Sequence, residues 1–196
     1  DEPIVISASQ TGSQAWEPHN YDGKYEGPMQ MRTALAKSKN MVSIRILQSI
    51  GTRYAQDYSS RFGFDAEKHP PYLTMALGAG SVTPWQMATA YSVFANGGYR
   101  INPYVVSEIR DEKNNVLAQA APVPAGEDSV RAIDPRNAFL MDGMLRDVPI
   151  FGTGAKASVA LKRQDLAGKT GTTNEYVDAW FCGYQPTVVG VAWIGF

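Results

Sequence analysis

The sequence is poor in cysteine and histidine and has no long apolar segment, and each scarcity excludes a class of protein. A single cysteine, Cys182, excludes an internal disulfide. Its place in the apolar run 179–184 predicts a small buried side chain. Neither His19 nor His69 has a cysteine, a histidine or paired carboxylates at ligand spacing, so we expect no metal site and no cofactor. The longest apolar run, 188–196, is too short to cross a bilayer, so any membrane anchor or export signal is expected outside this sequence.

An excess of charge of one sign is also missing. The 18 basic and 19 acidic residues give a net charge of −1. This balance supplies no basic surface for nucleic acid and no electrostatic attraction to anionic lipid. A chain of 196 residues that is 44% hydrophobic and 19% charged is typical of one globular domain, or most of one.

Start and stop signals predict an α+β chain of helices followed by strands. The clearest helix start is Thr83, a capping residue followed by Pro84 in the first turn and by Gln86 three residues after the cap. Similar signals predict helices over 28–36, 41–50, 53–61, 83–96 and 134–146. Alternating apolar residues predict strands over 101–109, 115–119, 166–172, 178–185 and 188–195, and the composition of 117–130 predicts a surface loop.

Lys169-Thr170-Gly171, followed by Thr172 and Thr173, opens one of these strands. Lys-Thr-Gly in this place is the third of three motifs of active-site-serine enzymes that are acylated by β-lactams. In such a site the strand edge presents backbone N–H groups to a reacting carbonyl, and the lysine and threonines hold a carboxylate. Gly-Lys-Thr could also suggest a phosphate-binding loop, but that motif needs a glycine where this sequence has Arg163.

The second motif of such enzymes has a candidate in Ser38-Lys39-Asn40, which interrupts two predicted helices. A serine hydroxyl there could relay a proton to a leaving amine, and the asparagine amide could bind a substrate backbone and a lysine. A solvated turn remains the alternative. The first motif, Ser-x-x-Lys, occurs nowhere in the 196 residues, so the nucleophile is not in this chain.

Two other interpretations of candidate site residues receive less support from the sequence. A Ser-His-Asp triad lacks a Gly-x-Ser-x-Gly elbow in this sequence. The aromatic residues Trp16, Tyr21 and Tyr25 could line a substrate groove, although packing within their own loop is favoured.

Four ordered segments carry a resemblance that spans nearly the whole chain. They are Gly27-Pro28 with the run 35–42, then 77–88, then 94–99, and finally 167–173. In this order they resemble the transpeptidase domain of bifunctional (class A) penicillin-binding proteins of the 1A type. The family fold is an α+β fold shared with serine β-lactamases, a five-stranded antiparallel sheet with a helical lobe. The resemblance implies that residues 1–196 form a partial transpeptidase domain, with the last three strands and most of the helical lobe. It implies that the first two strands, the nucleophile helix and the closing helix are absent, so that the run 188–196 would expose apolar surface.

The resemblance also implies roles for individual residues. Ser38 would shuttle a proton, and Asn40 would hold the donor peptide and the lysine of the first motif. Lys169 would polarise the Ser38 hydroxyl and attract the terminal carboxylate. The substrate-binding residues would be Thr170, Gly171, Thr172 and Thr173, and the Thr172 N–H would form half of an oxyanion hole. The hydroxyl of Ser38 and the amine of Lys169 should therefore lie within hydrogen-bonding distance.

The implied activity of the parent protein is D,D-transpeptidation, which cross-links peptidoglycan stem peptides ending in D-Ala-D-Ala through a serine acyl-enzyme. β-Lactam antibiotics would acylate the same serine. The implied partner is the missing N-terminal part of the same protein, with a glycosyltransferase domain and an anchor in the bacterial inner membrane, at its periplasmic face. Two alternatives remain: an inactive fragment with only a structural or binding role, and a serine β-lactamase, whose frequent Glu-x-x-Leu-Asn loop is not found here.

Overall fold

The computed structural model describes residues 1–195, with the side chain of Asn174 excepted. The α-helices are α1 (Ala8–Thr11), α2 (Met31–Ala36), α3 (Asn40–Ile50), α4 (Thr52–Ser59), α5 (Pro84–Ala95), α6 (Pro135–Phe151) and α7 (Ala155–Leu161). The strands are β1 (Glu108–Arg110), β2 (Val116–Gln119), β3 (Ala167–Thr172), β4 (Asp178–Gln185) and β5 (Val188–Gly195). Within residues 1–195, no helix is both long and apolar enough to cross a membrane.

The strands β3, β4 and β5 form an antiparallel sheet in that order, which confirms the three strands expected at the end of the sequence. Lys169 on β3 lies opposite Cys182 on β4, and Trp180 on β4 lies opposite Trp193 on β5. The two indole rings stack with centroids 5.7 Å apart, a cross-strand aromatic pair that fixes the register. Cys182 is buried, as its apolar surroundings predict.

Two long helices cover the sheet and join it to the rest of the chain. Helix α5 contacts β4 and β5, whereas α6 contacts β3 and α2. Leu145 of α6, Ala167 of β3 and Tyr184 of β4 form one buried cluster at this junction. Because α6 touches both α2 and β3, it sets the distance between the turn that follows α2 and the strand that carries Lys169.

Helix α5 begins as its sequence predicts. The Thr83 side chain accepts a hydrogen bond from the Gln86 N–H at 3.1 Å, and the Gln86 side chain accepts one from the Thr83 N–H at 2.9 Å. This reciprocal arrangement satisfies two N–H groups that the first helical turn leaves without partners.

Several predicted boundaries are wrong. The strand predicted over 101–109 is reduced to β1, since Pro103 lacks the N–H that a ladder requires and β2 offers only four residues for pairing. Helix α6 continues past residue 146 to Phe151, because Val148 and Pro149 are buried in the core and the gain from burial outweighs the weak helix propensity of proline. Helix α2 begins at Met31 instead of at residue 28, and α1 and α7 were not predicted.

Strand β5 exposes large apolar side chains on both of its faces. The exposed fractions are 60% for Val188, 46% for Trp193 and 78% for Ile194. Among the described residues β5 pairs only with β4. The expected exposure of apolar surface along 188–196 is therefore observed as far as Gly195, and Phe196 lies outside the described residues.

Candidate active site

The turn between α2 and α3 carries Ser38 in a left-handed backbone conformation, with φ of 56°. This region costs a residue with a side chain roughly 1–2 kcal/mol. The turn is held by hydrogen bonds from the Ser38 N–H to the Leu35 carbonyl at 3.1 Å and from the Lys39 N–H to the Ala34 carbonyl at 2.9 Å. The reversal ends α2 and turns the Ser38 hydroxyl towards β3.

Lys169 meets Ser38 directly. The Lys169 Nζ donates a 2.8 Å hydrogen bond to the Ser38 Oγ and a 2.9 Å hydrogen bond to the carbonyl oxygen of Thr170. These two residues are 131 positions apart in sequence. The contact expected between the second and third motifs is thus confirmed.

The environment of Lys169 favours the loss of its proton. Burial lowers the pKa of the Lys169 ammonium from 10.5 to about 8, because an ion loses hydration in the protein interior. Both hydrogen-bond acceptors described above are uncharged oxygens, which stabilise a cation less than a carboxylate does. Near neutral pH this amine can therefore donate a proton to Ser38 or accept one from it.

Strand β3 is an edge strand of the described sheet, and the alternation of its ladder determines which groups point outward. The Thr173 N–H donates to the Asp178 carbonyl at 3.0 Å, which places residue 173 in a hydrogen-bonded pair with β4. The backbone groups of Thr172 and Thr170 consequently point away from β4. The outward carbonyl of Thr170 is bonded to Lys169, and the exposed Thr172 lies at the open edge, where an extended ligand could pair with its N–H and C=O.

Asn40 is held by the loop before α2. Its Nδ2 donates a 2.8 Å hydrogen bond to the carbonyl of His19, whose ring Nδ1 lies 3.0 Å from the Tyr25 hydroxyl. Among the described residues Asn40 forms no hydrogen bond with Lys169. The structure therefore brings Ser38 and Lys169 into direct contact. Asn40 lies at the first position of α3 and does not take part in that contact.

The threonines of the third motif differ in their contacts. The Thr173 hydroxyl accepts a 2.8 Å hydrogen bond from the Asp178 N–H, so it closes the connection between β3 and β4. The Thr170 hydroxyl lies 2.5 Å from that of Thr153, a residue that the sequence did not single out. Gly171 lies opposite Trp180. Of the four residues expected to bind substrate, Thr172 alone is exposed and without a described side-chain hydrogen bond.

Thr153 belongs to the loop between α6 and α7, which touches the end of α2. The Thr153 N–H donates to the Ala36 carbonyl at 3.0 Å. The preceding Gly152 packs so closely that a Cβ there would lie 2.2 Å from the Ala36 oxygen. The Gly-Thr-Gly sequence at 152–154 is the one local signal that could have pointed to this contact.

Lys39, the residue between Ser38 and Asn40, points into the protein and is 1% exposed. Its Nζ lies 3.0 Å from a carboxylate oxygen of Asp22, 3.0 Å from one of Glu26 and 3.5 Å from one of Asp1. Burial acts to lower the pKa of Lys39, but the hydrogen bonds to Asp22 and Glu26 outweigh it and the pKa is raised. Lys39 is therefore a buried cation. Nothing in the sequence around position 39 indicates this burial.

Two tyrosines from distant segments of the chain contact each other next to the end of β3. The hydroxyls of Tyr21 and Tyr176 lie 2.5 Å apart and the rings stand edge to face, with centroids 6.4 Å apart. The sequence favours packing of Tyr21 within its own loop, whereas the structure shows it in contact with the connection between β3 and β4.

The order of the motifs and the contact between Ser38 and Lys169 at the sheet edge are typical of active-site-serine enzymes that are acylated by β-lactams. Comparison with known proteins agrees with this class. Residues 4–194 match the family described as the penicillin binding protein transpeptidase domain. The chain belongs to this family.

Individual relatives agree with the family match. The chain is 52% identical over all 196 residues to penicillin-binding protein 1A of Neisseria lactamica, and it spans 24% of that protein's length. The crystal structure of penicillin-binding protein 1A from Haemophilus influenzae superimposes on this chain with a TM-score of 0.90 and is 33% identical in sequence. The match covers all of this chain and 34% of the Haemophilus influenzae chain. Penicillin-binding protein A from Mycobacterium tuberculosis, in an imipenem acyl-enzyme complex, shares the fold alone. It has a TM-score of 0.68 and 20% identity, and the match covers 91% of this chain and 44% of that chain.

Proposed function

We propose that residues 1–196 form part of a D,D-transpeptidase domain that cross-links peptidoglycan stem peptides. The observation that carries the proposal is the 2.8 Å hydrogen bond between Lys169 and Ser38 beside the open edge of β3. That contact joins the second and third motifs of a serine acyl-transfer site, and membership of the transpeptidase family makes such a site the expected one.

The nucleophile of the proposed reaction is a serine outside this sequence. Its hydroxyl oxygen gives its proton to the lysine of the first motif, also outside this sequence, attacks the carbonyl carbon of the penultimate D-Ala and forms an ester, while the peptide bond to the last D-Ala breaks. The departing nitrogen takes up a proton, which Ser38 delivers from Lys169, and free D-Ala leaves. An amine of a second stem peptide then attacks the ester and gives up a proton through Ser38 to Lys169. The released serine oxygen takes back its proton from the lysine of the first motif, which restores the serine.

The proposed roles of the binding residues follow from their places along the groove. The cationic form of Lys169 and the hydroxyls of Thr170 and Thr172 attract the terminal carboxylate of the donor peptide. The outward N–H of Thr172 donates to the oxyanion that forms at the attacked carbonyl. Asn40 holds the donor peptide from the side of α3, and Gly171 and Thr173 complete the strand against which that peptide lies.

β-Lactams are proposed as inhibitors that acylate the same serine, in line with the acyl-enzyme that the Mycobacterium tuberculosis protein forms with imipenem. The parent protein is proposed to carry a glycosyltransferase domain and an anchor in the inner membrane as well, and to work at the periplasmic face. The share of the Neisseria lactamica relative that this chain leaves unmatched gives room for these parts.

The test is covalent labelling of the full-length protein with a fluorescent penicillin. The wild-type protein should be labelled with one equivalent, and Lys169→Ala should slow labelling by at least about 100-fold, because it removes the group that exchanges a proton with Ser38. The matched control is Lys113→Ala, which removes an exposed lysine in the turn between β1 and β2. Undiminished labelling of Lys169→Ala would contradict the proposal.

A further inference from the structure

We propose that Lys39 is a positioning residue, which holds the Ser38 turn at the correct distance from Lys169 through a buried network of carboxylates. The inference rests on the proposed function, since it concerns the geometry of the same acyl-transfer site. Lys39 itself points away from the groove and does not touch the reacting atoms.

The first observation is that three consecutive residues fasten the turn to one segment, residues 19–26, here named the backing loop. Lys39 Nζ reaches Asp22 and Glu26 and also donates to the Lys24 carbonyl at 3.2 Å. The next residue, Asn40, donates to the His19 carbonyl, and the N–H of Met41 donates to the Asn20 side chain at 3.3 Å. The backing loop thus holds the turn through contacts with three consecutive residues.

The second observation is the strain in the turn itself. Ser38 has a left-handed backbone, which a serine leaves readily when its surroundings permit. Its neighbour Lys39 is fully buried and tied at 3.0 Å to two carboxylates from the backing loop. Because residue 39 cannot rotate without breaking these contacts, the adjoining residue is kept in the conformation that directs its hydroxyl to Lys169.

The third observation is the chemical type of the residue. An apolar side chain fills a buried position without the loss of hydration that a charge suffers, and replacing a buried ion pair with apolar groups is often neutral or stabilising. Stability alone therefore does not require lysine at position 39. The ammonium fixes the orientation of the side chain, because it binds three oxygens at fixed places on the backing loop. An apolar side chain could pack against any apolar surface.

The experiment compares acylation kinetics in the full-length protein for wild type, Lys39→Met and the triple variant Lys39→Met/Asp22→Asn/Glu26→Gln. The triple variant should keep the fold, because Asp22 and Glu26 lose their charges together with Lys39, and the buried Asp1 carboxylate still accepts a 2.7 Å hydrogen bond from the Asn20 Nδ2. The amplitude of labelling by a fluorescent penicillin reports how much protein is folded, whereas the first-order rate constant at saturation reports the geometry of the site. We expect full amplitude for the triple variant and a rate constant lowered by about 10- to 100-fold, the usual effect of displacing a catalytic group by about 1 Å.

Lys37→Met is the matched control. Lys37 also pairs with Glu26, at 2.6 Å, but its side chain is 40% exposed and is not part of the buried network. Its substitution should leave both amplitude and rate constant at wild-type values. A wild-type rate constant in the triple variant, or in the folded fraction of Lys39→Met, would overturn the positioning role while leaving the proposed function intact. Failure of the wild-type protein itself to become labelled would instead overturn the proposed function.

Discussion

The Lys169 ammonium and the Ser38 hydroxyl are 2.8 Å apart, although 131 positions separate them along the chain. Helix α6 makes this possible, because it packs against both α2, which precedes Ser38, and β3, which carries Lys169. A contact of this length between a half-buried serine and a lysine with a lowered pKa is an arrangement suited to proton transfer.

The serine of this pair should be required for acyl transfer. In the full-length protein, Ser38→Ala removes the hydroxyl that we propose carries the proton to the leaving nitrogen, so turnover should fall by about 100- to 10,000-fold. Transfer of the acyl group from a labelled donor peptide to an amine acceptor provides the measurement. Ser49→Ala is the control, since among the described residues the Ser49 hydroxyl bonds only the Ile46 carbonyl on α3, and it should retain wild-type turnover. Equal turnover of the two variants would refute the assignment of Ser38.

The 196-residue chain by itself should form no covalent adduct with a penicillin. An ester needs a nucleophilic serine with a nearby base, and binding groups alone cannot form one. Intact-protein mass spectrometry after incubation with benzylpenicillin should show the unmodified mass, and the full-length protein treated in parallel should gain the mass of the drug. A stoichiometric adduct on the isolated chain would place the nucleophile among residues 1–196.

The charge on Lys169 should make the stability of the domain increase with pH in the alkaline range. The pKa of Lys169 is about 8 in the folded protein and 10.5 ordinarily, so between these values the unfolded chain keeps a proton that the folded chain has released. The free energy of unfolding therefore rises with pH across this window, by up to about 3 kcal/mol from this residue. Below pH 8 both states bind the proton and the contribution is constant.

Lys169→Met lacks this titration and isolates it. Thermal midpoints of the domain at pH 7 and pH 10 should show the wild type gaining stability relative to Lys169→Met as the pH rises. A difference between the two proteins that stays constant, or that moves in the opposite direction, would mean that the folded protein does not depress the pKa of this lysine.

Gly152 should tolerate no side chain. A Cβ at this position would lie 2.2 Å from the Ala36 carbonyl oxygen, so Gly152→Ala must push the loop after α6 away from α2, at a cost of about 1–3 kcal/mol. Gly143→Ala within α6 is the control, because a Cβ there meets no atom within 4 Å and alanine favours helix by about 0.5–1 kcal/mol. Thermal unfolding should therefore show shifts of opposite sign, and a neutral Gly152→Ala would contradict the close contact.

Local sequence patterns predicted those parts of the molecule that depend on neighbouring residues. The cap at Thr83, the turn at Ser38 and the three strands from Ala167 onward follow from capping groups, turn formers and alternating apolar residues, which act within a few positions. The motif residues Ser38 and Lys169 were also identified from the sequence, and the short distance between them was expected from the family resemblance.

Tertiary packing decided the remainder. Helix α6 continues through Pro149 because its last turn is buried in the core. No local sequence signal near residue 146 predicts this extension. Lys39 reads as an ordinary surface lysine in the sequence, and it is buried only because Asp22 and Glu26 arrive from another segment to neutralise it. Burial and charge pairing depend on tertiary contacts between segments that are distant in sequence. A pattern of adjacent residues does not specify those contacts.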